Sequence, residues 1–203
     1  MSRTSNRTDG DIIRDFLSVA DLLKESQLAQ LYAYLVHEDE ATVQDVIEDL
    51  ELSQGMAYSN VSRLVDAGVV EVTHDEQPRR YAAREIDLTV TTGAGDRRYT
   101  ITPALIDAVG RAETNDDIDT YIDRHGIAGL ATAINYAVDR ERGSVTHQVM
   151  ARDIDISPLA AEIILQALRP IVHEHYDIEP AGASLDDVVA AEDLAVDDET
   201  VNE

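Results

Sequence analysis

The chain has 203 residues, which is enough for one large domain or two small ones, each with its own core. It contains no cysteine, which excludes disulfide bonds, thiolate chemistry and cysteine-based zinc sites, and no apolar run approaches the roughly 20 residues that span a bilayer. Forty-one acidic residues face sixteen basic ones, for a net charge of −25, and such a surface repels itself and holds water strongly.

The acidic excess has two interpretations. Intrinsic disorder is one, but apolar residues recur with regular spacing through most of the chain, which argues against it. The other is adaptation to molar salt, in which charges are screened within about 3 Å. The composition, with a single lysine at Lys24, resembles that of proteins from archaea that accumulate salt. On this composition we expect a protein of haloarchaeal type. The N-terminus also lacks the apolar stretch of a signal peptide, so we expect the protein to be soluble and cytoplasmic, with no membrane partner.

The first 24 residues divide into a tail and a helix. Residues 1–10 are polar, and we expect them to be disordered. Residues 11–24 have helical spacing and a broad apolar face. The apolar positions are Ile12, Ile13, Phe16, Leu17, Val19, Ala20, Leu22 and Leu23. Two hypotheses stay open: this helix packs on a partner or second subunit, or it docks on the protein's own core.

Three more helical segments follow. Residues 28–37 form the first, and Thr42 is placed to cap the second, with Asp45 three residues on. Ser53 is placed to cap the third, and Gly68 is placed to end it in a left-handed conformation. The inward positions of this third helix are Ala57, Val61, Leu64 and Val65. The pattern predicts a short helix, a tight turn and a longer helix.

The periodicity then changes to that of strands. Residues 69–73 predict a first strand, and the turn-forming sequence from Asp75 to Pro78 follows it. Residues 79–92 include the alternating positions Ile86, Leu88 and Val90, which predict a second strand. Gly93 to Asp96 form a second turn, and residues 97–102 predict a third strand.

The C-terminal half is predicted to be helical. Pro103 is tolerated at the first position of a helix, Ser157 is a capping residue, and Pro170 should kink or split the last helix. The expected helices are 103–112, 115–125, 127–142, 146–153 and 158–176. Beyond residue 178 the chain has nine acidic residues and no basic one, which predicts a mostly disordered acidic tail with one short helix near 184–192.

The segment from Leu52 to Val70, L-S-x-x-x-A-Y-S-x-V-S-R-L-x-x-A-G-V-V, resembles the recognition-helix signature of ArsR, MarR and TrmB-like winged-helix regulators. Tyr58 stands where TrmB-like proteins usually carry a tyrosine. The resemblance covers residues 27–102, about a third of the chain. It implies a mainly α fold with a small β wing, in which a winged helix-turn-helix (residues 11–102) precedes an α-helical domain (residues 103–177) and a tail (residues 178–203). It also implies binding to double-stranded DNA.

The candidate DNA-binding residues lie on the outer side of the third helix and on the first hairpin. On the helix they are Gln54, Tyr58, Ser59, Ser62 and Arg63, which suit base edges and nearby phosphates. On the hairpin they are Arg79, Arg80 and Arg84, which bracket its turn and suit phosphates. Arg97 and Arg98 lie at the second turn. From residue 54 to residue 100, six arginines face seven acids, a local net charge of −1. An ion pair of Arg63 with Asp66 is the alternative for that residue.

A shift of 104 positions aligns this motif with the C-terminal half. Six identical pairs and several apolar pairs result. The identical pairs are Thr42/Thr146, Gln44/Gln148, Asp49/Asp153, Ser53/Ser157, Ala57/Ala161 and Leu64/Leu168. The second helix of this later motif is far more apolar. We favour a dimerisation or effector domain of helix-turn-helix shape, with a second DNA-reading module or chance similarity as alternatives.

No catalytic or cofactor motif is present, so we expect no enzyme activity, no cofactor and no metal. His173 and His175, two residues apart, would point to different faces of a helix. We hypothesise that the protein is a homodimeric transcriptional regulator that binds double-stranded DNA sequence-specifically and has a possible unknown effector. The alternative is a winged helix that binds proteins, or that serves chromosome maintenance or replication, without reading a DNA sequence.

Overall fold

A computed structural model describes residues 19–91 and 98–178. The expected N-terminal tail, most of the first helix, the second turn and the acidic C-terminal tail with its short helix lie outside these residues. Residues 19–22 are helical, and Val19 and Leu22 are buried in the core. In its described part, the first helix therefore docks on the protein's own core.

A helix-turn-helix and a small antiparallel sheet form the first half. The helices are α1 (Ser26–His37), α2 (Val43–Asp49) and α3 (Gln54–Ala67), and the strands are β1 (Ala41–Thr42), β2 (Val70–His74) and β3 (Arg80–Ala83). The strand order is β1-β3-β2. Because β2 follows α3 directly in the chain, the hairpin of β2 and β3 extends from the end of α3. This is the predicted winged helix-turn-helix.

Local side chains explain where these helices begin and end. Thr42 and Asp45 form a reciprocal capping box at the start of α2. The Ser53 hydroxyl accepts a hydrogen bond from the Met56 N–H at the start of α3. Gly68 ends α3 with a φ of 78°, a left-handed conformation that glycine adopts without strain. All three features were predicted.

The second predicted strand is wrong as a single element. The chain leaves β3 after Ala83 and forms a new strand, β4 (Leu88–Thr91), which pairs with β5 (Arg98–Ile101) in a separate sheet. The break has a physical cause, because Ile86 is buried in the core and the Tyr32 hydroxyl donates to the Arg84 carbonyl over 2.7 Å. These contacts take residues 84–87 away from the first sheet.

Four helices complete the chain: α4 (Pro103–Arg111), α5 (Asp116–Glu141), α6 (His147–Asp153) and α7 (Pro158–His175). Gly126 interrupts α5 with φ 68° and ψ −179°, where the sequence predicted two helices. Of the two predicted outcomes at Pro170, a kink or a split, the split does not occur, because α7 continues through it. Since Pro170 is on the exposed side, the carbonyl four residues before it can bind water in place of the missing N–H.

One hydrophobic core joins the two halves, and the backbones of α1 and α4 approach each other closely within it. A Cβ added to Gly110 of α4 would lie 2.8 Å from the Gln30 nitrogen and 2.9 Å from its Cα. The two helices therefore pack so closely that only glycine fits at this point. None of the helices within residues 19–91 and 98–178 has the length and apolarity that a membrane crossing needs.

We expect Gly110→Ala to destabilise the protein by about 1–3 kcal/mol, because two helix backbones must separate to admit the methyl group. Denaturant unfolding, in the salt that keeps the wild type folded, measures this. Gly55→Ala is the matched control, since its Cβ meets nothing within 4 Å and alanine favours helix by up to about 1 kcal/mol. Equal stability of both variants would contradict the close packing.

Candidate nucleic-acid interface

Helix α3 buries one side and exposes the other. Ala57, Asn60, Val61 and Leu64 are buried, and the predicted contact residues lie on the opposite, exposed side. All the predicted contact residues on this helix are exposed: Gln54, Tyr58, Ser59, Ser62 and Arg63. The Tyr58 side chain is the most prominent, at 55% exposure for an aromatic ring. The recognition face predicted from the sequence is therefore an open surface.

A groove of about 440 Å³ separates α3 from the hairpin of β2 and β3. Tyr58 and Ser62 line its helical side, and Arg79 and Pro78 line the side of the hairpin. Gln44, near the start of α2, also lines it and is exposed. The structure thus brings together three predicted site residues and adds Gln44. The sequence feature that could have indicated Gln44 is a polar residue two positions after the Thr42 cap.

Arg63 already has a partner, which the sequence did not reveal. Its guanidinium donates two hydrogen bonds to the Glu25 carboxylate, with distances of 2.8 Å (Nη1 to Oε2) and 2.6 Å (Nη2 to Oε1). The hydrogen bonds from Arg63 lower the pKa of Glu25, and the same bonds raise the pKa of Arg63. The pair ties the exposed face of α3 to the residue before α1.

The arginines of the hairpin also lie beside acids. Arg79 is 2.8 Å from Asp75, and Arg80 is 4.0 Å from Glu40. These pairs are at least one-third exposed, and pairs of this kind contribute roughly 0–1 kcal/mol. A phosphate could therefore replace either acid at little cost.

Arg84 does not lie at the turn where the sequence placed it. It follows β3 at the base of the hairpin, where its Nε is 3.0 Å from Glu71 and its Nη1 is 3.4 Å from the Gly68 carbonyl. Arg84 lies far from the turn because β3 separates the two and an extended strand advances about 3.3 Å per residue. Arg98 lies on the second hairpin, against α5 and away from the groove, and Arg97 lies outside the described residues.

The repeat predicted at an offset of 104 has the same backbone architecture in the structure. Thr146 and Ser157 cap α6 and α7 as Thr42 and Ser53 cap α2 and α3. The turns also correspond, because Glu51 and Asp155 both have a positive φ (51° and 57°). The second motif is therefore a helix-turn-helix in shape.

The two motifs differ in what they expose. Where α3 presents Gly55, Tyr58 and Ser59, the positions 104 later on α7 are Leu159, Glu162 and Ile163. Leu159 is 70% exposed and Ile163 is 40% exposed. No strand follows α7 within the part of the chain that the structure describes. An apolar and acidic face without a wing is unsuited to reading DNA.

His173 and His175 face different neighbours, as their spacing predicted. The His173 Nε2 is 2.6 Å from Glu141 of α5, and the His175 Nε2 is 2.9 Å from the buried Asp107 of α4. Both histidines therefore tie α7 to neighbouring helices.

Comparisons with known protein families find a match in each half of the chain. Residues 23–87 match the family described as sugar-specific transcriptional regulator TrmB, a winged helix-turn-helix family. Residues 112–177, which include the second helix-turn-helix, match a family of unknown function (DUF7437). No curated protein and no solved structure matches the chain. Residues 23–87 are therefore similar to the winged-helix domain of the TrmB family, and the predicted resemblance to TrmB-like regulators is confirmed.

The pairing of Arg63 with Glu25 gives a direct test of this surface. We expect Arg63→Gln to raise the pKa of Glu25 toward the ordinary glutamate value of about 4.3, because the carboxylate loses two charge-assisted hydrogen bonds. Titration of the carboxyl ¹³C resonance measures the pKa. Arg79→Gln is the control and should leave it unchanged. An unaltered pKa in Arg63→Gln would show that the pair is absent in solution.

Proposed function

We propose that the protein is a sequence-specific regulator of transcription that reads double-stranded DNA with α3. One observation carries the proposal: residues 54–63 contain no acid, although the chain has forty-one acids and a net charge of −25. A chain so acidic would repel DNA over most of its surface. The open face of α3 is where a major groove could approach it, since that groove is wide enough to admit a helix.

Separate roles follow for the two sides of the groove. Tyr58, Ser59 and Gln54 are exposed on α3 and carry hydrogen-bonding groups that suit base edges. Arg79 and Arg80, near the tip of the hairpin, suit phosphates of the flanking backbone. Their contribution would be independent of sequence and would fall with salt concentration. Release of Arg63 from Glu25 would add a third cation.

We further propose that the protein acts as a homodimer on a pseudo-palindromic site. The exposed Leu159 and Ile163 of α7 offer an apolar surface, and Glu162, which lies between them in the sequence, is paired within the chain. Arg140 binds Glu162 over 2.9 Å, and Arg169 lies 3.3 Å from Glu141. Two chains of net charge −25 can approach most easily through such a neutralised patch. The two recognition helices would then read half-sites one or two helical turns apart.

DNA binding is tested with genomic fragments in gel-shift assays, carried out in molar KCl because the acidic composition indicates a halophilic protein. We expect a discrete subset of fragments to bind. Tyr58→Ala should weaken specific binding at least about fivefold, since a good base contact contributes about 1–3 kcal/mol. The double variant Arg79→Ala/Arg80→Ala should weaken binding to all fragments and lower the salt slope by about 2.

Arg152→Ala is the matched control, because Arg152 is also exposed and paired with an acid but lies on α6. It should bind like the wild type. Binding that none of these substitutions changes would refute the assignment of the site. Absence of any binding by the folded protein would favour a protein-binding winged helix instead.

The dimer is tested by light scattering. We expect the wild type to have twice the chain mass of 22.3 kDa, and the double variant Leu159→Glu/Ile163→Glu to have the mass of one chain. If the double variant remained dimeric, each chain would bury two charged glutamates in the apolar interface, which is unfavourable. Thr114→Glu/Thr120→Glu adds the same charge at exposed positions elsewhere and should remain dimeric. A wild-type mass of one chain would contradict the dimer.

A further inference from the structure

The ion pair of Glu25 with Arg63 joins the chain before α1 to the exposed face of α3. Within the described part of the chain, the Glu25 side chain does not cap α1, although Glu25 is the residue just before that helix. Both of its carboxylate oxygens instead accept hydrogen bonds from Arg63, 38 residues away. Carboxylate and phosphate oxygens both suit this fork of a guanidinium. Glu25 therefore occupies hydrogen-bonding groups with which Arg63 would bind a phosphate.

The position of Arg63 on α3 places it at one edge of the exposed face. Successive residues of an α-helix are about 100° apart around its axis, so Tyr58 and Arg63 are separated by about 140°. Ser59 and Ser62 fall between them, and all four residues are exposed. Because Tyr58 and Ser62 line the groove beside the hairpin of β2 and β3, Arg63 forms the edge farther from the hairpin.

The two edges of this face would meet different phosphates of a duplex. A helix that lies in the major groove has one phosphate backbone on each side. If the hairpin contacts the first backbone, Arg63 and Glu25 lie beside the second. There the Glu25 carboxylate would repel the phosphates and compete with them for the guanidinium. Because the Arg63 and Glu25 side chains are 44% and 47% exposed, water screens the pair and a phosphate can replace the carboxylate.

We propose that Glu25 limits the sequence-independent affinity of the protein for DNA, because its carboxylate occupies Arg63 in the free protein. An exchange of this carboxylate for a phosphate gains little, whereas a free guanidinium would gain an ionic contact with any duplex. Contacts to base edges then supply a larger share of the affinity, which raises the preference for one sequence over others. This effect on preference rests on the proposed function, whereas the effect on affinity requires only that α3 approaches a duplex.

The test measures binding of the full chain to a fluorescently labelled duplex of arbitrary sequence, at the lowest KCl concentration that keeps the wild type folded. Glu25→Gln should bind this duplex at least about threefold more tightly than the wild type, and the slope of log K against the logarithm of KCl concentration should steepen by about 1, since one phosphate contact is gained. Glu113→Gln removes the same charge at an exposed position between α4 and α5. It is the matched control and should bind like the wild type.

A double-mutant cycle separates the occupation of Arg63 from a general loss of negative charge. In the Arg63→Gln background, Glu25→Gln should no longer strengthen binding, because no guanidinium is released. Glu25→Ser should strengthen binding as Glu25→Gln does, and it protects α1 from unfolding because serine is favoured just before a helix. The proposal is overturned if Glu25→Gln gives an equal gain with and without Arg63, if neither Glu25 variant binds more tightly than the wild type, or if no duplex binds at all.

Genomic fragments distinguish a failure of this role for Glu25 from a failure of the proposed function. If the wild type prefers certain fragments and Glu25→Gln binds every duplex as the wild type does, the role of Glu25 is wrong and the proposed function stands. If the wild type shows no preference but Glu25→Gln strengthens binding through Arg63, the role of Glu25 stands and sequence-specific reading is wrong. If both hold, Glu25→Gln should narrow the difference in affinity between a preferred fragment and the arbitrary duplex.

Discussion

The packing of α1 is the constraint on which the rest of the structure depends. Its residues are buried against α4, α3 and β3, and the approach to α4 is so close that Gly110 admits no side chain. The Tyr32 hydroxyl on α1 holds the chain where it leaves the first sheet, and Glu25, just before α1, holds Arg63 on the exposed face of α3. A single helix thus packs against α3 and joins it to the C-terminal half.

The two helix-turn-helix motifs show how one backbone can support different surfaces. Caps, turns and buried positions correspond at an offset of 104, because these features determine whether the motif folds. The outward positions do not correspond, since Tyr58 is replaced by Glu162 and Ser59 by Ile163. Fold alone therefore says little about function, which lies in the exposed side chains. We propose that the first surface binds DNA and that the second binds another copy of the chain.

Much of the fold could be predicted from local sequence. The Thr42 and Ser53 caps and the left-handed Gly68 act within four residues, so their signals are visible without a structure. Contacts between residues far apart in the sequence could not be predicted in this way. The pairing of Arg63 with Glu25 joins residues 38 apart, and the turn of the chain at 84–87 depends on Tyr32, 52 residues before Arg84.

Genome-wide occupancy of the tagged, full-length protein in its native host is the sharpest test of DNA reading by α3, because it identifies the bound DNA sequences themselves. We expect discrete peaks that share a short sequence with two-fold symmetry, and loss of those peaks in a Tyr58→Ala strain with normal protein levels. Occupancy no higher than that of an untagged control, or peaks unchanged by Tyr58→Ala, would contradict the reading of DNA by α3.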